Sequence, residues 1–253
     1  NKAWLKSGGK LDKEMSNIFT RNDLKEFYKT QLHGISSKQE MFKAIQEGKI
    51  NLELNINEYV SPEHLEEILR NNPDTITLDG KEYQVAYEYD NQKKEPRASI
   101  TMLVKDVLNF QEVPQLPSGR LLTLKVLEQE DSSKVLFESD NISEARQKAR
   151  VFLINKQWKA WRESQDYESR IIRLENFNPL TDELPALPDP VQFGIDPESN
   201  EPLLAYPAII EHSTDSFAIV YFSSQEEARN ELNKTLTRID QLKEIKRKKE
   251  EAE

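Results

Sequence analysis

The 253-residue chain has no cysteine. That absence excludes a disulfide framework, a cysteine-ligated zinc or iron–sulfur site and a thiol nucleophile. Glycine is also scarce, at seven residues, and only Gly8 and Gly9 adjoin. No strand pattern precedes that pair and no Gly-x4-Gly-Lys-Ser/Thr run exists, so a glycine-rich phosphate cradle is excluded. The three histidines, His33, His64 and His212, lie far apart and form no His-x3-His pair. No metal and no cofactor is therefore expected. No apolar run approaches the roughly 18 residues of a membrane span. The expectation is a soluble, cytoplasmic chain with no membrane partner. It opens at Asn1 without Met or a leader pattern, and so reads as a piece cut from a longer protein.

What the sequence does have is charge. Lys and Arg number 35 against 45 Asp and Glu, a net charge of −10, and 32% of residues are charged against 36% hydrophobic. Such a balance predicts a modest core. Residues 1–73 read as a helical N-terminal segment. Leu24, Phe27, Tyr28 and Leu32 share one helical face, Ser37 with Glu40 reads as a capping box, and Ser61-Pro62 opens a further helix. A short strand is expected at Ile50–Ile56. Residues 74–175 read as an antiparallel meander followed by a long amphipathic helix. Thr75–Leu78, Asp79-Gly80 and Lys81–Tyr89 carry the strongest hairpin signal, because Asp-Gly suits a two-residue type I′ turn. Further strands are expected at Arg97–Val104, Leu121–Glu128 and Lys134–Glu138, with a turn at Pro114–Gly119.

Asn141 with Glu144 is expected to cap a helix running to about Leu174, with Val151, Ile154, Trp158 and Trp161 as its buried stripe. Residues 176–204 hold six of the twelve prolines, six acids and no Lys or Arg. They predict an extended, acidic surface connector. Residues 205–253 read as a hairpin, Leu204–Glu211 with Ser216–Phe222, then a helix capped by Ser224 and Glu227 whose charged end, Lys246–Glu253, frays. The fold class is α+β, and these segments can together form one compact domain.

Chemistry is sparse. Glu66-Glu67 and Glu226-Glu227 are adjacent pairs, about 100° apart on a helix and unsuited to paired acid/base work. Asp196 to Glu201 alternates acids like a calcium loop. It lacks the central glycine and terminal glutamate of one, and reads as solvated linker. No serine sits in a Gly-x-Ser-x-Gly elbow. No catalytic residue is assigned. One segment carries a binding pattern: residues 146–173 hold eight basic and three acidic side chains. Lys148, Lys159 and Arg162 form a stripe flanking Trp158 and Trp161, with Lys156 beside it. Cations next to aromatics can track phosphates and stack bases. The same pattern also suits a core helix with buried tryptophans and a charged outer face.

Taken in order, Ala3-Trp4-Leu5 with Leu11, then Asp23 to Leu32, resemble the opening of the C-terminal extension of bacterial DEAH-box ATP-dependent RNA helicases of the HrpA-like type. Met41-Phe42-Lys43 stands where the family has a tryptophan pair. Leu78 to Tyr89 and Ala98 to Val104 look like its central strands, and Leu122 to Leu127 and Leu136 to Ala145 like a later stretch. The most specific likeness is Ala205-Tyr206-Pro207-Ala208-Ile209-Ile210-Glu211 followed by Asp215-Ser216-Phe217 to Ala228. The resemblance implies an accessory region that contacts RNA, a ribonucleoprotein such as the ribosome, or the helicase core in cis. The ATP-site motifs of such a parent would lie before Asn1, so the chain itself is not expected to be an enzyme. A protein-interaction module, docking through strand edges and the acidic connector, is the alternative.

Overall fold

The computed structural model describes residues 2–9, 21–53, 61–213 and 216–251. They form two compact units, residues 1–146 and 147–253, so the division falls within a helix and not where the composition changes. Both units are mixtures of helix and antiparallel-rich sheet, an α+β protein.

In the first unit, α1 (Lys2–Lys6), α2 (Arg21–Gln31), α3 (Lys38–Gln46) and α4 (Pro62–Asn71) precede a five-stranded sheet. Its strands are β1 (Thr75–Leu78), β2 (Lys81–Asp90), β3 (Glu95–Leu103), β4 (Thr123–Leu127) and β5 (Val135–Ser139), paired in that order. The Asp79-Gly80 turn forms as expected: both residues have positive φ, 47° and 77°, and Leu78 faces Lys81. Residues 50–53 are not in a strand, and the rest of the strand expected at Ile50–Ile56 lies outside the described residues.

The meander expectation fails at one place: β3 and β4 pair parallel, with Ser99 opposite Thr123. A parallel pair needs a crossover of a dozen residues or more. Residues 104–122, with the short helix α5 (Val104–Val107), supply it. The crossover is no loose loop, since Val107, Leu116 and Leu122 are buried as fully as Ile100, Leu124 and Val126 of the sheet.

Helix α1 is short but firmly docked. Trp4 stacks on Tyr89 with centroids 5.9 Å apart, and Gly8 and Gly9, at φ of 72° and 86°, turn the chain away at its end. Lys2 and Lys6 each reach one oxygen of Asp74 at 3.0 Å and hold its carboxyl below the usual range. Burial pushes the Tyr87 hydroxyl up to about 12, and that hydroxyl donates to the Pro73 carbonyl at 2.7 Å.

Helix α6 (Ile142–Arg162) starts in the first unit and ends in the second. Its expected buried stripe is only partly correct. Val151 is 51% exposed, whereas Ala145, Ala149 and Trp161 are buried. Nor does the helix run on to Leu174. Ser164 donates to the Trp161 carbonyl at 2.6 Å and accepts from the Tyr167 N–H at 3.3 Å, capping a separate helix α7 (Gln165–Arg170). Such a hydroxyl competes for backbone groups and ends one helix while starting the next.

The second unit's sheet has the order β6-β9-β8-β7, all antiparallel: β6 (Ile172–Arg173), β7 (Val191–Ile195), β8 (Pro202–Ser213) and β9 (Ser216–Phe222). The β8–β9 hairpin is the one expected, and residues 214–215 at its turn lie outside the described residues. The connector at 176–204 is not uniformly extended surface chain, because it contains β7 and the first residues of β8. Ile209, Phe217 and Ile219 pack with Leu232 and Ile239 of α8 (Gln225–Glu250). The charged end of α8 stays helical to Glu250, where Arg247 and Lys248 pair with Glu244 and Lys246 with Glu250 at helical spacing.

The three caps expected to pair with a glutamate form. Ser37 Oγ, Asn141 Oδ1 and Ser224 Oγ accept from the N–H three residues on, at 3.2, 3.1 and 3.2 Å. Their partner glutamates reach behind the cap. Glu40 accepts from the Ser36 N–H, Glu144 from the Ser139 hydroxyl and Glu227 from the Ser223 hydroxyl, at 2.9, 3.0 and 3.1 Å.

Strand β7 is held by Gln157 of α6. The side-chain amide donates to the Ile195 carbonyl and accepts from the Ile195 N–H, each at 2.9 Å, as a neighbouring strand would. A Cβ on Gly194 would lie 2.5 Å from that amide oxygen. Gly194→Ala therefore displaces Gln157 and loses both bonds, a cost of about 1–2 kcal/mol. Urea denaturation would show it as a lower midpoint at unchanged slope. An unchanged midpoint would mean that Gln157 does not restrain β7.

Candidate nucleic-acid interface

The site expected from sequence lies on α6, from Lys148 to Arg162. Residues on a helix advance by about 100°, which places Lys148, Lys159 and Arg162 within about 60° of one another. Lys148, Lys156, Lys159 and Arg162 are all exposed. Arg150 and Gln157 project from the opposite side and make the internal contacts, Arg150 with Asp196 and Gln157 with Ile195. The cationic stripe is thus the outward side of a helix whose inner side is occupied.

The tryptophans divide. Trp161 is 8% exposed and sits with Tyr167, Ala205 and Tyr221 in one cluster. Its ring lies 5.0 Å from Tyr167, and its Nε1–H donates to Asp166 Oδ2 at 2.7 Å. Trp161 is therefore a core residue and offers no face for a base, which corrects its assignment to the binding surface. Trp158 is half-buried, 5.0 Å from Phe193 and 5.3 Å from Trp161, and lines a cavity.

That cavity, about 470 Å³ in volume, was not legible in the sequence. By strand register Ile210, Ala218, Val220 and Phe222 share one face of the β8–β9 pair, alternate to the residues that pack on α8. All four line the cavity, and Trp158, Arg162, Tyr167 and Ile171 complete its apolar and aromatic wall. The one available signal was Phe217 to Phe222, which is apolar on both alternations and so needs cover on both faces.

Charged groups gather around this wall. The Arg162 guanidinium lies over the Tyr167 ring, 5.6 Å from its centroid. Arg173 stands 3.5 Å from Glu168 with both side chains about two-thirds exposed, a weak pair. Glu227 accepts from Ser223. His212 also lines the cavity. Burial pushes the Tyr221 hydroxyl up, with Arg170 acting against it. Beside the cluster, Arg170 first and then the Trp161 N–H hold the Asp166 carboxyl down.

The acidic loop at 196–201 behaves otherwise than expected. Asp196 is no solvated linker residue: its side chain is 4% exposed and grips Arg150 at 2.5 Å. It also accepts from the N–H groups of Glu198 and Ser199 at 2.9 and 3.1 Å. Arg150 first, with those backbone donors, lowers its carboxyl to about 2. Among the described residues no group of three or more His, Asp and Glu side chains is placed to hold a metal ion. No described helix is long and apolar enough to cross a membrane. Comparison with known protein families, curated proteins and solved structures finds no match.

Proposed function

We propose that this chain is a non-catalytic accessory region of a cytoplasmic ATP-dependent RNA helicase, and that it contacts RNA through the outward side of α6. The observation that carries the reading is the exposure of Lys148, Lys156, Lys159 and Arg162 along one helix of an otherwise acidic chain. The stripe from Lys148 to Arg162 extends about 21 Å at 1.5 Å per residue. Its cations would displace counterions from the RNA phosphates that follow it, the term that dominates sequence-independent binding. The resemblance of the segment order to HrpA-like helicases favours the same reading, with the helicase core or a ribonucleoprotein as the neighbouring partner.

Fluorescence titration of a labelled single-stranded RNA at about 50 mM salt tests it. Binding is expected at roughly 10⁻⁶ to 10⁻⁴ M, weakening steeply as salt rises. The triple variant Lys148→Glu, Lys159→Glu, Arg162→Glu should lose at least about tenfold in affinity and flatten the salt dependence. Unchanged binding by that variant removes α6 as the site. No binding by the wild-type chain, together with a protein partner that stays bound after nuclease treatment, makes it a protein-interaction module instead.

A further inference from the structure

We infer that the cavity against β9 receives a single unpaired RNA base, with Arg162 holding the adjoining phosphate. The inference rests on the RNA-contact reading and gives it a base-binding subsite. Four features of the site lead there. Its volume, about 470 Å³, falls within the range of roughly 300–1,000 Å³ typical of small-ligand sites. Its wall is the composition such sites use: half-buried Trp158 supplies an aromatic ring, while Ile171, Val220 and Phe222 supply apolar surface.

The charge pattern selects the ligand. Glu168 is engaged by Arg173 and Glu227 by Ser223, whereas Arg162 has no carboxylate partner among the described residues and rests on the Tyr167 ring. A planar guanidinium so placed can pair with phosphate oxygens through two parallel N–H donors.

Continuity makes the ligand a strand and not a free nucleotide. Arg162 belongs both to the cavity wall and to the stripe of Lys148 and Lys159, so an anion seated on it is already in line with the other cations. A flat ring joined to a row of phosphates is single-stranded nucleic acid. Base-on-aromatic stacking of this kind tolerates any sequence, since every base has a π-face.

The test compares two probes on the wild-type chain: a single-stranded oligoribonucleotide and an abasic ribose-phosphate strand of the same length. The base-bearing strand should bind about tenfold or more tightly. A duplex, whose bases are stacked, has none to place in the cavity, so its affinity should not change in a variant that fills it. Val220→Phe, which fills the cavity while keeping it apolar, should bring the base-bearing strand down to the abasic level; circular dichroism and the urea midpoint would confirm that the variant folds. Equal binding of both strands by wild-type protein overturns the base subsite but leaves the α6 contact standing. Failure of both strands to bind removes the RNA reading and the subsite together. An acidic aromatic peptide that binds wild type but not Val220→Phe, with RNA affinity equal in the two, assigns the cavity to a protein partner and overturns the inference.

Discussion

Arg150→Ala destabilises the chain at pH 7 by about 2–3 kcal/mol, and most of that loss disappears at pH 2.5. The cause is Asp196, a carboxylate 4% exposed whose Oδ2 is held by Arg150 at 2.5 and 2.9 Å. Truncating the arginine leaves the carboxylate buried with only two backbone donors. Because Arg150 is itself 46% exposed, water can replace part of the lost contact, which puts the cost at the low end for a buried pair. The sign of the pH dependence follows from the depressed carboxyl. Its folded value is about 2, below the ordinary 3.9 of a free aspartate, so the stabilisation is complete above about pH 5 and is lost as pH falls through 2. Wild-type protein should thus lose roughly 2.5 kcal/mol from this group between pH 5 and below 2, while Arg150→Ala shows a shallower dependence. Urea midpoints of both proteins at pH 7 and pH 2.5 decide it. A gap of equal size at both values would mean that lost packing, not the ion pair, destabilises the variant.

The second large effect belongs to Arg120. Its guanidinium is bound to backbone carbonyls alone, through Nη1 to Leu5 at 3.0 Å and Lys6 at 3.3 Å and through Nη2 to Pro96. Leu5 and Lys6 end α1, where helix carbonyls lack intrahelical partners and a cation is favoured. Burial pulls the arginine's pKa down, which measures how much hydration it has surrendered to reach them. Arg120→Met keeps the apolar stem but removes the bonds to all three carbonyls, leaving Leu5 only its bond from the Gly8 N–H, and should cost about 3 kcal/mol. Arg120→Lys keeps one charged donor and should recover about half of that. Hydrogen exchange is the discriminating measurement. Protection at Ser7, Gly8 and Gly9, whose N–H groups close α1, should fall in Arg120→Met before global unfolding. Protection equal to wild type would show that Trp4 and Asp74 suffice to hold the helix.

Features fixed by neighbouring residues were readable from the sequence. The Asp79-Gly80 turn and the caps at Ser37, Asn141 and Ser224 depend on side chains within three positions of the groups they satisfy. What depended on distant partners was not readable. Asp196 looks like any acid in an acidic stretch until Arg150, 46 residues away, is brought against it. The direction of β3 against β4 is set by how residues 104–122 cross back, and strand periodicity carries no such information. In α6 the spacing marks a stripe without saying how far along the helix it stays covered, so Val151 and Trp161 end on opposite sides of the surface. The cationic half of the candidate site was legible because exposed charge is local. The cavity was not, because it exists only once α6, α7 and β9 have met.

The parallel join between β3 and β4 also orders the events by which the first sheet assembles. The β1–β2, β2–β3 and β4–β5 pairs each close a short loop and can form early and independently. Joining the two pieces needs the whole crossover laid down first, and its ordering entropy precedes any reward from the new contacts. Until that moment Ile100 and Leu124, both almost fully buried in the finished sheet, lie on edges that face solvent. The interval before they meet is when a newly made chain is most exposed to pairing with another copy of itself.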